Sequence, residues 1–250
     1  MAYSFKTSSW PERLWRTNNT ADIARGNVPG SVPYNTFGQR LVVANVDTVV
    51  WETGMPATLT VPNNIQLTIV SSSASDTGGI VIKYLDGNLL AQEERLTLNG
   101  LTPITTTATD IRAINNIYSL NGPVVGNVNF TGGGTRYAYL PAGDVQFNTS
   151  LQRIPANKRL MVQTLYGGAA SGSAAARVVI KLETSFINGD SFADTGVLHP
   201  VGAIALQDSS TSIGGDGIFP IPGGEWVGFT AKSDKDATVT AGLFGYLEDA

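Results

Sequence analysis

The chain has 250 residues, no cysteine, a single histidine and a net charge of −4, which excludes disulfides and every thiolate metal site and leaves stability to packing. Only 14% of residues are charged, against about 25% in ordinary soluble domains, and 28 glycines accompany abundant Thr, Ser and Asn, a composition suited to short strands and tight turns. No run approaches the roughly 20 apolar residues of a membrane helix, and the first residues, with Lys6 and Trp10-Pro11-Glu12-Arg13, do not form a signal peptide, so neither a membrane partner nor export is expected.

Residues 1–40 read differently from the rest. They carry Lys6, Arg13, Arg16, Arg25 and Arg40 against Glu12 and Asp22, a net +3, which leaves −7 for the remainder. Tyr3, Phe5, Trp10, Trp15 and Tyr34 are scattered among Pro11, Gly26, Pro29, Gly30 and Pro33 with no period of 2 or 3.6. Aromatics placed this way cannot bury one another and need a second surface. An irregular N-terminal docking arm is expected, with a brief helical turn from Pro11 to Arg16 capped by Ser9. Its predicted partner-binding residues are Trp10, Arg13, Trp15 and Arg16, because aromatic and arginine anchors dominate interface energies. The basic residues form no concentrated run, so nucleic acid is not an expected partner.

From residue 41 the chain reads as strand after strand: Leu41–Val43, Val49–Trp51, Thr58–Val61, Gln66–Val70, Ile80–Tyr84, Leu96–Leu98, Ile104–Thr107, Ile111–Tyr118, Val124–Phe130 and Tyr137–Tyr139. Asp86-Gly87 signals a hairpin turn, Gln92–Arg95 an exposed strand edge, and Gly132-Gly133-Gly134 a flexible break. One pattern occurs three times, an aliphatic residue and a proline followed by two alternating apolar residues. It is Val61-Pro62 with Leu67 and Ile69, Ile154-Pro155 with Leu160 and Val162, and Ile221-Pro222 with Val227 and Phe229. Proline is tolerated as the first residue of a strand, and the alternation gives that strand one buried face. The turn chemistry of Pro141–Asp144 and the restart of the pattern place a boundary near 141–150. Leu160–Leu165, Arg177–Phe186, Val201–Leu206, Glu225–Ala231 and Thr238–Leu247 follow, with Gly167–Ala176 as a long turn. Short strands spaced about 8–12 residues apart predict an all-β antiparallel sandwich or jelly roll. It is expected as one large body or two successive sandwich units, 41–145 and 146–250, behind the arm 1–40.

Several segments carry a resemblance. Val70-Ser71-Ser72-Ser73-Ala74-Ser75-Asp76-Thr77, Tyr84-Leu85-Asp86, Glu94-Arg95-Leu96-Thr97-Leu98-Asn99-Gly100, Thr105-Thr106-Thr107, Ile111-Arg112-Ala113-Ile114, and the closing Phe219-Pro220-Ile221-Pro222 to Phe244-Gly245-Tyr246-Leu247 resemble virion structural proteins of tailed bacteriophages. The resemblance implies a β-sandwich subunit on the outside of a phage particle, assembled in the host cytoplasm, held in a homo-oligomer and partnered by other virion proteins, the major capsid protein or tail proteins. It implies either a capsid decoration (cement) protein or a fibre component that binds a host-surface receptor or glycan. It transfers no active-site residue, and the arm lies outside it.

Catalytic chemistry is sparse. His199 is the only imidazole, and no Gly-x-Ser-x-Gly elbow accompanies it. A sandwich glycosidase needs two acids about 5–9 Å apart; Glu93 and Glu94 are neighbours that point to opposite faces of a strand, and Glu183 has no assignable partner. Asp234 and Asp236 read as a polar turn before they read as a calcium loop, and Gly214–Gly217 reads as a tight connection, not a phosphate loop. Among the aromatics Trp51, Trp226, Tyr137, Tyr139 and Tyr166, alternating positions favour core. Tyr137 and Tyr139, beside Arg136 and the triple glycine, are the candidate exposed patch for a sugar or an intersubunit contact. No enzymatic activity, cofactor or metal is expected.

Overall fold

A computed structural model describes residues 19–250 except 53, 57–59, 173–174, 188 and 208–209, with the backbone alone for 19–21 and 210–219. A short helix, α1 (Asn19–Ala24), leads into β1 (Val32–Val42) and β2 (Thr48–Val49). Then come β3 (Thr68–Ser71), β4 (Gly79–Leu85), β5 (Ala91–Thr97), β6 (Ile104–Thr105), β7 (Ala113–Ser119), β8 (Val128–Gly132) and β9 (Thr135–Leu140). The chain closes with β10 (Gln152–Arg153), β11 (Lys158–Ser171), β12 (Arg177–Thr184), β13 (Phe186–Ile187), β14 (Asp190–Ser191), β15 (His199–Gln207), β16 (Ser210–Ile221), β17 (Trp226–Ser233) and β18 (Ala237–Asp249). The all-β sandwich expected from the sequence is the fold found, and every strand pairing is antiparallel.

Period-2 patterning explains the principal sheets. In β18, Ala237, Val239, Ala241 and Leu243 are buried while Thr238 and Thr240 between them are not; in β12, Val178, Ile180 and Leu182 are buried between Arg177, Val179 and Lys181. One sheet has the order β1-β18-β11-β16, and the sheet facing it has β10-β17-β12-β15 with β2 also on β17. Their inner faces meet in a core that includes Leu160, Val162, Ile180, Leu182, Phe229 and Leu243. With β2 and β10 counted as one strand, the eight strands taken in chain order lie 1-8-3-6 in one sheet and 2-7-4-5 in the other. This is the jelly-roll arrangement of two Greek keys.

That second strand is split. Along β17, Thr48 lies opposite Ala231 and Val49 opposite Thr230. The row is then completed from a different part of the chain, with Gln152 opposite Val227 and Arg153 opposite Trp226. At the break, the Val50 N–H donates to the Phe229 carbonyl at 2.8 Å. Phe229 N–H donates to Ser150 Oγ at 3.2 Å, and that hydroxyl donates to the Val50 carbonyl at 2.6 Å. One serine thus repairs the ladder where a whole unit has been let into the strand. The inserted unit is a second sandwich, β6-β3-β8-β9 against β5-β4-β7, with its own core of Leu67, Ile69, Ile82, Ile117 and Phe130, among others.

The sheets do not divide the chain into 41–145 and 146–250, because β1 and β2 pair with β18 and β17 from the far end of the sequence. The arm is also shorter than 1–40. All eleven residues of β1 pair with β18, from Val32 opposite Leu247 to Val42 opposite Ala237, so the residues from 32 onward belong to the sandwich. The stretch Gly167–Ser171, expected as turn, continues β11, since small residues suit a strand that crosses closely packed neighbours. In the proline pattern all six apolar positions are buried, but the proline stands before the strand. Lys158 N–H closes a turn on the Pro155 carbonyl, and the Gly223-Gly224 turn, with φ +86 at Gly224, separates Pro222 from β17. Gly214–Gly217 lies within β16, not in a connection. Thr58–Val61 falls partly outside the described residues.

Candidate functional site

Among the described residues, the junction between the two units gathers the densest polar cluster. Asn115, on β7 of the inserted unit, grips the backbone of Arg153 from both sides: its Nδ2 donates to the Arg153 carbonyl at 2.7 Å, and its Oδ1 accepts the Arg153 N–H at 2.9 Å. The Arg153 side chain is 2% exposed. Its Nε donates to the Gly224 carbonyl at 2.7 Å, its Nη2 to Asp194 Oδ1 at 2.9 Å, and its guanidinium lies 5.8 Å from the Trp226 ring. The same Asp194 oxygen accepts from Arg112, which immediately precedes β7. Burial alone would raise the Asp194 carboxyl, but the two guanidinium partners outweigh it and hold it below its ordinary range. Beside them, the Ser185 hydroxyl donates to Glu225 at 2.6 Å and accepts the Trp226 N–H at 2.7 Å. These pairings join β10 and neighbouring loops of the sandwich to the start of β7 in the insertion; every carboxylate faces a donor, and the chemistry is that of a clamp.

The opposite end of the inserted unit carries a different surface. Buried Asp76 accepts from Ser71 Oγ at 2.5 Å and from the N–H groups of Val125 and Gly126 at 2.8 and 2.9 Å. Burial would raise its pKa, but these three hydrogen bonds lower it. Around this staple stand exposed Leu101, Leu120, Val125 and Val145, with Ser119 N–H bonded to the Val145 carbonyl and Gly100 N–H to that of Asp76. On the flank, Tyr84, Asp86, Gln92, Glu93, Glu94 and Asp110 border an open depression of about 360 Å³. Its acids are engaged: Glu94 accepts from Thr107 N–H, Asp110 from Gly87 N–H, and Glu93 pairs with Arg95. Burial first, then Glu94, Asp110 and Asp86, raise the Tyr84 phenol.

The residues singled out from the sequence fall as follows. Trp10, Arg13, Trp15 and Arg16 lie outside the described residues. Tyr137 and Tyr139 do not form an exposed patch; both are half-buried and packed on the inserted unit's core. Arg136 lies 5.1 Å from the Tyr139 ring and donates to the Gly54 carbonyl, whose Cα hydrogen faces that ring. Trp51 and Trp226 are core. Glu183 is buried and accepts from Thr230 Oγ1 at 2.8 Å. His199 pairs with Thr184 across the sheet, and its ring lies tilted 5.0 Å from that of Phe192. Asp234 and Asp236 accept the N–H groups of Arg177 and Ala44, as turn acids do. Gln92–Arg95 lies in β5, an exposed edge strand as expected. The junction cluster went unseen because its members are spread from Arg112 to Glu225; only the placement of Arg153 one residue before the Ile154-Pro155 pattern hinted at it.

No protein-family model and no curated protein matches the chain. Among solved structures, one of infectious bursal disease virus Gt strain aligns over 87% of this chain and 72% of its own at 8% identity, with a TM-score of 0.19. The VP2 subviral particle of infectious bursal disease virus aligns over 88% and 81% at 10% identity, with a TM-score of 0.12. Likenesses this slight speak for neither fold nor function.

Proposed function

We propose that this chain is a non-enzymatic structural protein of a tailed-phage virion, a capsid decoration (cement) protein on the outer surface of the particle, tied to neighbouring subunits by its N-terminal residues. The observation that carries this reading is the strand order 1-8-3-6 over 2-7-4-5. Double-sheet jelly rolls serve viral capsids, lectins and cupins. Here the space between the sheets is filled by apolar side chains, which leaves function to outer faces, loops and arm. The tailed-phage resemblance of the sequence supports the same reading. An inserted sandwich clamped to the first by Arg153, Arg112 and Asp194 suits a subunit that must present a second body rigidly.

The second reading is a fibre component that binds a host-surface receptor or glycan. It is favoured by the uncharged rim of Leu101, Leu120, Val125 and Val145 at the far end of the insertion. Antibody labelling of intact particles under the electron microscope separates the two. Label spread over the head is expected; label confined to tail or fibres supports the second reading, and particles without label overturn both.

A further inference from the structure

We infer that β15 is a dimerisation edge: two copies of this chain pair their β15 strands antiparallel about a twofold axis, so that the sheet β10-β17-β12-β15 runs on into its counterpart. The inference goes beyond the virion reading and does not use it.

β15 ends its sheet, and among the described residues no strand or bridge pairs with its free side. The backbone groups on that side follow from the ladder. On the far side of β12, the Asp234 N–H bonds to the Arg177 carbonyl, and just past the strand the Ser185 N–H bonds to the Trp226 carbonyl, so the odd-numbered residues of β12 face β17. The even-numbered Val178, Ile180 and Leu182 therefore bond across to Leu206, Ile204 and Gly202. The residues between these, Ala203, Ala205 and Gln207, turn their N–H and C=O groups to the open side, and all three are exposed. Ile204 and Leu206 are held in the core, which fixes the strand in this orientation.

Open edges in natural sheets are blunted by charge, proline, shortness or cover, and the other end strands of this molecule are treated so. β5 carries Glu93, Glu94 and Arg95, β9 carries Arg136, and β1 carries Pro33 and Arg40. β16 has Asp216 and Pro220. β2, β6 and β10 are two residues long, and β7 is covered by residues 145–147 through backbone bonds of Ser119 to Val145 and of Phe147 to Ile117. β15 has nine residues, none of them Asp, Glu, Lys or Arg, and its one proline, Pro200, stands ahead of the regular run Gly202–Gln207.

A second copy is the occupant this edge fits. About a twofold axis each outward N–H meets an outward C=O of the identical strand, and no like charges meet because the strand has none. The flanking cations are Arg177 and Lys181 on β12, opposite Gln207 and Ala203. Three strand spacings put them about 14 Å or more from their counterparts, beyond the screening length of about 8 Å, and Lys181 is already paired with Asp47 at 2.9 Å. The twofold uses up the edge in both copies, so association closes at two.

Sedimentation and hydrogen exchange on the full chain test this together. Wild type is expected at the mass of two chains, with the amides of Ala203, Ala205 and Gln207 exchanging on the order of 100-fold more slowly than those of Glu93 and Arg95 on the charged edge β5. Ala205→Pro removes an N–H that points away from β12, where an edge strand tolerates proline; it should give the mass of one chain with the wild-type circular dichroism, while Glu93→Pro on β5 leaves two chains. Wild type that is a single chain at all concentrations overturns the inference, and slow exchange in such a single chain would mean that a segment of the same molecule covers the edge. Fast exchange at the three amides in a two-chain particle also overturns it, as does an Ala205→Pro protein that stays paired; the exchange result stands even where the proline variant fails to fold. Absence of label on particles would remove the virion reading and leave this pairing untouched.

Discussion

At the scale of single residues, two positions concentrate the physics. Asp76 is a buried carboxylate satisfied by one hydroxyl and two N–H donors, and Asp76→Asn should cost about 1–3 kcal/mol at neutral pH because it removes charge-assisted acceptance from a buried site. Its folded pKa lies below the unfolded value, so the folded state binds fewer protons. The contribution is complete above the ordinary aspartate range and is lost as pH falls through that range towards the folded pKa. The melting-temperature gap between wild type and Asp76→Asn should accordingly narrow between about pH 5 and pH 3; a gap independent of pH would mean that the carboxylate is not the staple. Gly38 is the second position. A Cβ there would lie 2.0 Å from the Val50 carbonyl oxygen and 2.7 Å from the Ser150 nitrogen, both backbone atoms that cannot swing aside. Gly38→Ala should destabilise by about 3 kcal/mol, measurable as a lowered urea midpoint.

At the scale of elements, the repaired strand is a join that turns on one hydroxyl. Ser150→Ala leaves the Phe229 N–H without its acceptor in a buried ladder, at a cost of about 1–3 kcal/mol, and hydrogen exchange should quicken at Phe229 before it does at Ile180 on the neighbouring strand. The elements differ in how plainly they were written. Ile80–Tyr84, Arg177–Phe186 and Thr238–Leu247 were legible because alternating apolar side chains leave one face buried. β1 was not, because Pro33, Tyr34, Asn35, Gly38 and Gln39 dilute the alternation; Gly38 is demanded by a crossing that only the folded chain makes. The split strand was illegible for a related reason: two residues on each side of a hundred-residue excursion carry no period. Of the candidate residues, the tyrosines Tyr137 and Tyr139 were misjudged because a neighbouring Arg suggests solvent, whereas Arg136 spends its charge on the Gly54 carbonyl.

At the scale of the whole molecule, one sandwich is nested in another, and their cores touch. Val49 and Trp226 sit on strands of the jelly roll yet belong to the core of the inserted unit, and Arg153 ties the same place to Arg112 through Asp194. Sharing of this kind makes two units melt together, so calorimetry of the intact protein should give a single transition. Arg153→Ala removes a buried cation with three contacts and leaves an exposed Asp194 still paired with Arg112, a loss of about 2–3 kcal/mol, and should split that transition in two. A two-step melt in the wild type would show that the clamp does not couple the units.

The pairing of Val32 with Leu247 and of Val42 with Ala237 also fixes how the molecule carries load. β1 begins and β18 ends at the same corner of the sheet, so tension applied across that corner falls on one rung of an antiparallel ladder at a time. The pair should open from that corner like a zip, at a lower force than would be needed to shear all its rungs at once.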